Sequence, residues 1–231
     1  MIEWITLAYK HGIYSFECSL VSGHLLNYKS NSGIGDSFYH TKDMADDKKR
    51  CPWCLKDDLY MDYHDNEWGY PIYEDQSLFE KLILDGFQAG LSWYTILKKR
   101  PHFQAAFDQF DPQKIARWDE KKVQELLQNP GIVRNQAKIR GTIVNAQLYL
   151  DIMEQEGSFS QYLWGFVNHK PIINQFMSLD QVPATSPESD AMSKALRKRG
   201  FKFTGSTICY AFMQAVGMVD DHLLDCWRRT G

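Results

Sequence analysis

Cys51 and His64 stand near the start of a long patterned stretch of the chain, and His222 and Cys226 stand at its far end. Two thiolates and two imidazoles are a donor set that suits tetrahedral Zn²⁺. The i, i+4 spacing of His222 and Cys226 would face both donors one way on a helix. Because the two halves are far apart in sequence, such a site would clasp the ends together. With four protein ligands it would hold structure and leave no open position for chemistry. Cys54 competes with Cys51, since Cys51-x-x-Cys54 is itself ligand-like spacing. Unlinked core thiols and histidines are the commoner meaning of residues so scattered.

Aromatic residues make a second constellation. Trp53, Tyr60, Tyr63, Trp68 and Trp93 gather in and around "YHDNEWGYP" (Tyr63 to Pro71) and "GLSW". Most aromatics are core, and Trp118, Trp164 and Trp227 read that way. The first five stand among polar and glycine-rich neighbours, which is the character of loops that stack on a flat ring. A cationic ring would also be attracted by their faces.

One carboxylate is out of place. Asp85 falls on the apolar stripe formed by Leu78, Leu82, Ile83 and Phe87 at helical spacing. An unpaired charge buried there costs several kcal/mol, about the scale of a domain's whole stability margin. A salt bridge would explain it; so would a functional role, which the neighbouring Gly86 and Gly90 favour by letting a ligand approach closely.

The elements that would position these groups are helical from about residue 76 onward. Ser92 caps "WYTILKK", which Pro101 is expected to terminate. Asp111-Pro112 and Asp119 open two further helices, the second stopping at Asn129-Pro130-Gly131. A long helix is expected from about Asn135 to Glu156, closed by Gly157. Ser158 opens another, and Ser186-Pro187 begins one that ends at Gly200. After the short link from Phe201 to Gly205, "STICYAFMQAVG" starts the last. No alternating strand run and no repeat is evident, so the expected class is all-α.

Glycines at both ends of that link let the backbone turn tightly and approach a partner. The helix after Gly205 offers unpaired N–H groups beside Arg199 and Lys202, a seat for phosphate. A helix-hairpin-helix of this kind grips a DNA backbone without reading bases. A plain helical hairpin is the bland alternative. Basic clusters occur at Lys98-Lys99-Arg100 and at Lys194, Arg197, Lys198, Arg199 and Lys202; from charge alone a solvated helix face is the default meaning.

Composition sets the limits. The chain has 231 residues, 44% hydrophobic, with a net charge of −3, so binding to a polyanion would depend on local patches. No segment has the apolar length of a membrane span, and the N-terminus lacks a signal-peptide pattern. Five scattered cysteines argue for a reducing compartment, hence the cytoplasm. Residues 1–43 lack helical periodicity and end in the polar stretch "NYKSNSGIGDS". They are expected to be a poorly ordered extension from a mis-assigned start, preceding a domain over 44–231.

"CPWC", "LYMDYHDNEWGYP", "GFQAGLSWYTILKKR", "GIVRNQAKI", "FVNH" and "KALRKRGFKFTGSTICYAFMQAVGMVDDH", in this order, resemble the 3-methyladenine DNA glycosylase I family of bacterial alkylation repair. The resemblance runs from about Cys51 to Cys226. It implies an all-helical helix-hairpin-helix glycosylase with a structural Zn²⁺ clasp between its termini, held by Cys51, His64, His222 and Cys226. It implies a base pocket of Trp53, Tyr60, Tyr63, Trp68 and Trp93, with Asp85 as its carboxylate where the family carries glutamate. Leu91 matches the residue that wedges into the duplex, and Lys198, Arg199, Lys202 and Gly205 would hold the backbone of double-stranded DNA. Asn66 and Glu67 are expected to brace the pocket loop. Asp220 stands near the catalytic aspartate of other helix-hairpin-helix glycosylases, and is read as a surface acid beside His222. Ser206 and Thr207 follow the link where a lyase would carry lysine. The implied enzyme is therefore a monomeric, monofunctional hydrolase that releases 3-methyladenine. A protein that binds alkylated bases without cutting is the alternative.

Overall fold

A computed structural model of the chain describes residues 46–229 and, before them, the backbone of two short strands. The chain divides into two compact units, Met1–Asp46 and Asp47–Gly231. In the first, β1 (Glu17–Val21) pairs antiparallel with β2 (His24–Lys29), with Glu17 opposite Lys29 and Val21 opposite His24. These strands depart from the all-α expectation. Each is only five or six residues long, too short for alternation to stand out from the irregular sequence around it. The rest of the expected extension over residues 1–43 lies outside the described residues.

The second unit is built from helices. They are α1 (Asp58–Asn66), α2 (Asp75–Gln88), α3 (Trp93–Ala106), α4 (Pro112–Ile115), α5 (Glu120–Gln128), α6 (Gln136–Glu156), α7 (Phe159–Trp164), α8 (Pro187–Arg199) and α9 (Ser206–Ala215). Most begin where the sequence places a side-chain oxygen to accept an orphan N–H. Ser92 accepts from Thr95, Asp119 from Lys122, Asn135 from Lys138 and Ser158 from Gln161. Each such cap is worth about 1 kcal/mol. Ser186 and Ser189 exchange reciprocal bonds at the start of α8, and Gly157 and Gly200 close α6 and α8 at φ of 81° and 107°.

Pro101 does not terminate α3, which runs on to Ala106. The lost bond and ring clash disfavour a mid-helix proline by about 3 kcal/mol. Ile96 and Leu97 before it and Phe103 after it are buried, and Phe107 seats against Phe87 and Phe103. Core packing on both sides of the proline therefore outweighs its local preference.

α2 is the central element. Every residue from Leu78 to Phe87 except Glu80 is buried, and α3, α6, α7 and α9 pack around it. A short parallel pair, β3 (Ile172–Ile173) with β4 (Val219–Asp220), carries the chain from α9 towards its C-terminus. Gly217 turns the backbone between α9 and β4 at φ +70°; a Cβ there would lie 2.5 Å from Pro71 N and 2.7 Å from Gly69 O. Only glycine fits both the conformation and the space.

Gly217→Ala is accordingly expected to lower the unfolding free energy by about 2–4 kcal/mol, combining left-handed strain with backbone overlap. Urea denaturation monitored by circular dichroism measures it.

Candidate functional site

Trp53, Tyr60, Tyr63, Trp68 and Trp93 do come together. With Asp85, they line a cavity of about 350 Å³. The stretch "YHDNEWGYP" is not a loop throughout: Tyr63 lies with Tyr60 on α1, which continues to Asn66. The helix escapes a hydrophobic-periodicity search because it buries aromatic and polar groups, Tyr63, His64 and Asp65, rather than an aliphatic stripe. Trp53 packs edge-on to Tyr60 at 4.9 Å and to Trp68 at 5.0 Å, while Tyr63 lies 5.4 Å from Trp93. Edge and tilted contacts of this kind hold rings in fixed orientations and leave faces open for stacking.

Asp85 supplies the cavity's charge from α2. It is 2% exposed, and its Oδ2 has no hydrogen-bond partner within the protein. Nε1 of Trp93, another residue lining the cavity, is likewise buried without a partner. Buried polar groups are nearly always paired, so orphans that converge on one cavity mark where a ligand's polar atoms belong. Burial pushes the Asp85 carboxyl up to about 6, against the pull of Lys81 and Arg100.

Behind the cavity lies a charge cluster that the sequence reading did not anticipate. Arg100 Nη1 donates to Glu67 Oε2 at 2.6 Å, and its Nε donates to Glu80 Oε1 at 2.8 Å. Arg100 therefore does not belong to a solvated basic face. Lys99 also turns inward, donating to the carbonyls of Pro130 and Gly131. Glu67 braces the turn after α1, as expected, whereas Asn66, expected to brace it too, donates back within α1 to Asp62 Oδ1 at 2.7 Å. Lys81, one turn before Asp85, is buried too.

Opposite the aromatic wall the cavity is lined by Gln88, by Val182 and Pro183 before α8, by Ala211 and Gln214 of α9, and by Asp221. Gln88, Ala211, Gln214 and Asp221 stand inside the quoted motifs but have no assigned role there, and nothing local ties any of these residues to the aromatics. Asp221 accepts from Tyr210 Oη at 2.7 Å, Gln214 Nε2 at 2.8 Å and Asn174 Nδ2 at 2.7 Å. Asp220 is buried rather than a surface acid. Its Oδ1 accepts from the His222 backbone N–H at 3.1 Å and lies 2.7 Å from His222 Nδ1.

The thiols and imidazoles also converge. Donor atoms of Cys51, His64 and Cys226 all lie within 4.8 Å of one another, and the His222 ring centre is 5.1 Å from that of His64. His222 and Cys226 do not share a helix, since the chain after β4 is irregular; it is the turn through Leu223 that brings Cys226 back. Cys54 stays outside the group and donates its thiol to Cys51 O at 3.1 Å. Each histidine has Nδ1 against a carboxylate, His64 on Asp65 at 2.8 Å and His222 on Asp220 at 2.7 Å. Carboxylates only accept, so this tautomer aims a bare Nε2 inward, as metal-binding histidines require. His222 Nε2 is buried and unpaired. Cys51 and His64 draw the Cys226 thiol down towards thiolate, while Cys226 and burial push Cys51 up. Three converging donors with carboxylate backing, and the orphaned Nε2 of His222 in the neighbouring ring, suit a soft-to-borderline cation.

The two sites share walls. Trp68 packs 4.6 Å from the His222 ring, and Trp53 lies 5.4 Å from that of His64. Gly69, at φ +80°, makes room for His222, whose Cε1 would stand 2.6 Å from a Cβ. Trp227, expected in the core, is instead 40% exposed and donates to Asp65 Oδ1 at 3.2 Å. The Asp65 carboxylate, partly desolvated, is held down to about 2 by Arg50, His64 and Trp227.

Leu91 is 43% exposed, in the turn that Gly90 makes at φ +82°, between the cavity-lining Gln88 and Trp93 in sequence. Gly86 serves a different purpose from the ligand approach expected of it: a Cβ there would meet Phe203 Cβ at 3.3 Å. Phe203 belongs to the link between α8 and α9, which Asn145 of α6 fastens by bonds to both Lys202 N and Lys202 O. Lys198 and Lys202 are exposed. Arg199 is tied to α6 through Gln155 and Glu156. Gly205 is the N-cap of α9.

Residues 53–229 match the model of the methyladenine glycosylase family. A curated protein of Escherichia coli (strain K12), DNA-3-methyladenine glycosylase 1, is 52% identical over 179 residues, covering 77% of this chain and 95% of its own. DNA-3-methyladenine glycosylase of Haemophilus influenzae (strain ATCC 51907 / DSM 11121 / KW20 / Rd) is 51% identical over 181 residues, covering 78% and 98%. Among solved structures, a variant of 3-methyladenine DNA glycosylase I in complex with 3-methyladenine aligns at a TM-score of 0.76 and 37% identity. It covers 79% of this chain and 98% of that one.

The Asp85 carboxyl carries a pH signature. Its folded value of about 6 lies above the ~3.9 of an unfolded aspartate, so between those values the native state binds more protons. Stability is then lost as pH rises through that window, and the loss is complete above about 6. Relative to Asp85→Asn, the wild-type unfolding free energy should fall by about 2 kcal/mol between pH 4 and pH 7. Urea titrations at both pH values read this difference.

Proposed function

The chain belongs to the methyladenine glycosylase family, and from that premise we propose that it hydrolyses the N-glycosyl bond of 3-methyladenine in alkylated double-stranded DNA. One observation supports the reading above others: a cavity walled by five aromatic rings and holding a buried carboxylate with an unpartnered oxygen. A flat cationic base satisfies both features, through stacking and charge.

The damaged nucleotide leaves the stack at a cost of a few kcal/mol. Leu91, exposed in the turn between Gln88 and Trp93, fills the gap. The hairpin of α8, the link and α9 grips the backbone through Gly205, Lys202 and Lys198, and Arg199 braces that face against α6. On the methylated nucleoside the purine already carries positive charge, so it departs without strong protonation. The C1′–N9 electron pair passes to the base, water adds to C1′, and a proton is lost to solvent. Free 3-methyladenine and an abasic site result. Asp85 selects the cation; neutral adenine forgoes the charge contact while still having to desolvate the carboxylate. Ser206 and Thr207 stand where an amine nucleophile would be needed for strand cleavage, so the enzyme is monofunctional. It acts as a monomer in the cytoplasm; among the described residues no helix is long and apolar enough to cross a membrane.

Cys51, His64, His222 and Cys226 hold a structural Zn²⁺ in this reading. Such an ion would tie the start of the glycosylase domain to its end and hold the two histidines against Trp53 and Trp68.

Purified protein incubated with N-methylated duplex should release 3-methyladenine, identified by chromatography. Asp85→Asn should reduce the rate by about 100-fold or more, as loss of an electrostatic contact in a dry site does, while Asp85→Glu retains activity. Retention of the base on the protein without release would instead mark a silent lesion binder. Elemental analysis should find zinc bound to the wild type, and Cys226→Ser should both lose metal and unfold at lower temperature.

A further inference from the structure

Lys81 is 1% exposed on the apolar stripe of α2, where packing alone would select leucine or methionine. A lysine buried without purpose there costs several kcal/mol. Its ammonium does not reach solvent. Nζ donates to Tyr63 Oη at 2.9 Å, stands 3.8 Å from the Trp93 ring centre, and lies 4.0 Å from Glu67 Oε1. Two of these partners, Tyr63 and Trp93, line the cavity, yet Lys81 itself does not. It acts from behind the wall.

Among the groups facing Asp85, Lys81 supplies the largest favourable field, followed by Arg100 of α3; Glu67, after α1, opposes it. From the other packed elements come Tyr63 of α1 and Cys209 of α9, which feel the Asp85 charge. Burial raises Tyr63 well above its ordinary value and Cys209 to about 12, so both stay neutral below pH 9. Lys138 of α6 is engaged by the carbonyls of Phe87 and Ala89. Asp221, across the cavity, is occupied by its three donors. With Glu80, the cluster around Lys81 contains two cations and three carboxylates. Its single excess negative charge is what a cationic base would balance.

We propose that Lys81 is a positioning residue of the base site, holding Asp85 as a carboxylate before a base enters and fixing the Tyr63 hydroxyl and the Trp93 ring against which the base stacks. This rests on the reading of Asp85 as the group that selects a cationic base. Selectivity for charged over neutral purines then depends on a residue that never touches the base. Without the ammonium, Asp85 takes up a proton at higher pH, and the cavity loses its attraction for a cation just where it must bind one.

The test is kcat/KM for release of 3-methyladenine from N-methylated duplex, from pH 5 to pH 9, in the wild type, Lys81→Met, Lys81→Gln and Lys81→Arg. Lys81→Met should move the acid limb up by about one pH unit or more, so that activity falls about 10-fold at pH 6 and much less at pH 8.5. Lys81→Gln, which keeps a donor for Tyr63 but no charge, should move the limb similarly, and Lys81→Arg should restore it. An unmoved limb in the folded Gln variant, or an equal loss at every pH, overturns the proposal. If Lys81→Met does not fold, the Gln and Arg pair gives the same decision. Absence of release by the wild type would instead remove the proposed function, which the wild-type profile reveals before any variant is compared.

Discussion

A carboxylate buried among aromatic rings is the constraint around which this domain is arranged. In water, the Asp85 charge would be screened and would not distinguish a cationic ring from a neutral one. Among buried aromatic rings its field is strong, but the burial itself opposes ionisation. The helices resolve that conflict. α2 brings Asp85 to the cavity with Lys81 one turn behind it, α3 contributes Arg100, and the turn after α1 contributes Glu67 to keep Arg100 and Lys81 in place. The same α2 buries nearly all its other side chains in the hydrophobic core. The charged group is therefore mounted on one of the least movable elements of the fold, as a preorganised electrostatic site requires.

The thiol–imidazole cluster and the cavity are neighbouring parts of one construction. Trp53 and Trp68 present one side to the cavity and pack against His64 and His222 on the other. Gly69 and Gly217 let the segments from the two ends of the domain approach to backbone contact. Joining those ends consequently does more than resist fraying. It sets the positions of two of the five rings. The parallel pairing of β3 with β4 delivers Asp220, Asp221 and His222 in succession, and they serve different neighbours: Asp220 orients His222, whereas Asp221 joins the cavity wall.

On the far side of α2, the link between α8 and α9 reaches into space left by Gly86 and Gly141, whose added Cβ atoms would meet Phe203 at 3.3 Å and 3.0 Å. The hairpin assigned to grip the DNA backbone is thereby packed directly against the helix that carries Asp85. Asn145 fastens the link from a third helix. Displacement of the hairpin would be felt by α2 through packed side chains, which deform little.

The sequence by itself determined the helices from α2 onward, because caps such as Ser92, Asp119, Asn135 and Ser186 and stops such as Gly157 and Gly200 act within a few residues of where they stand. It singled out Asp85 and the five rings that share one cavity, since a carboxylate on an apolar stripe and rings among polar neighbours are anomalies visible in one dimension, and the ordered motifs pointed to the family. Tertiary structure decided the rest. Pro101 lies inside a helix because Phe103 and Phe107 must reach the core. α1 forms although it has no aliphatic stripe, since what it buries is polar and aromatic. Arg100 reads as solvated charge and Lys81 carries no signal at all until Glu67, Tyr63 and Trp93 from other segments, with Glu80, surround them. Asp220 turned inward for the same reason. Local signals report the conformation of a segment, but the fate of a charge depends on what faces it, and that is fixed only when distant segments pack.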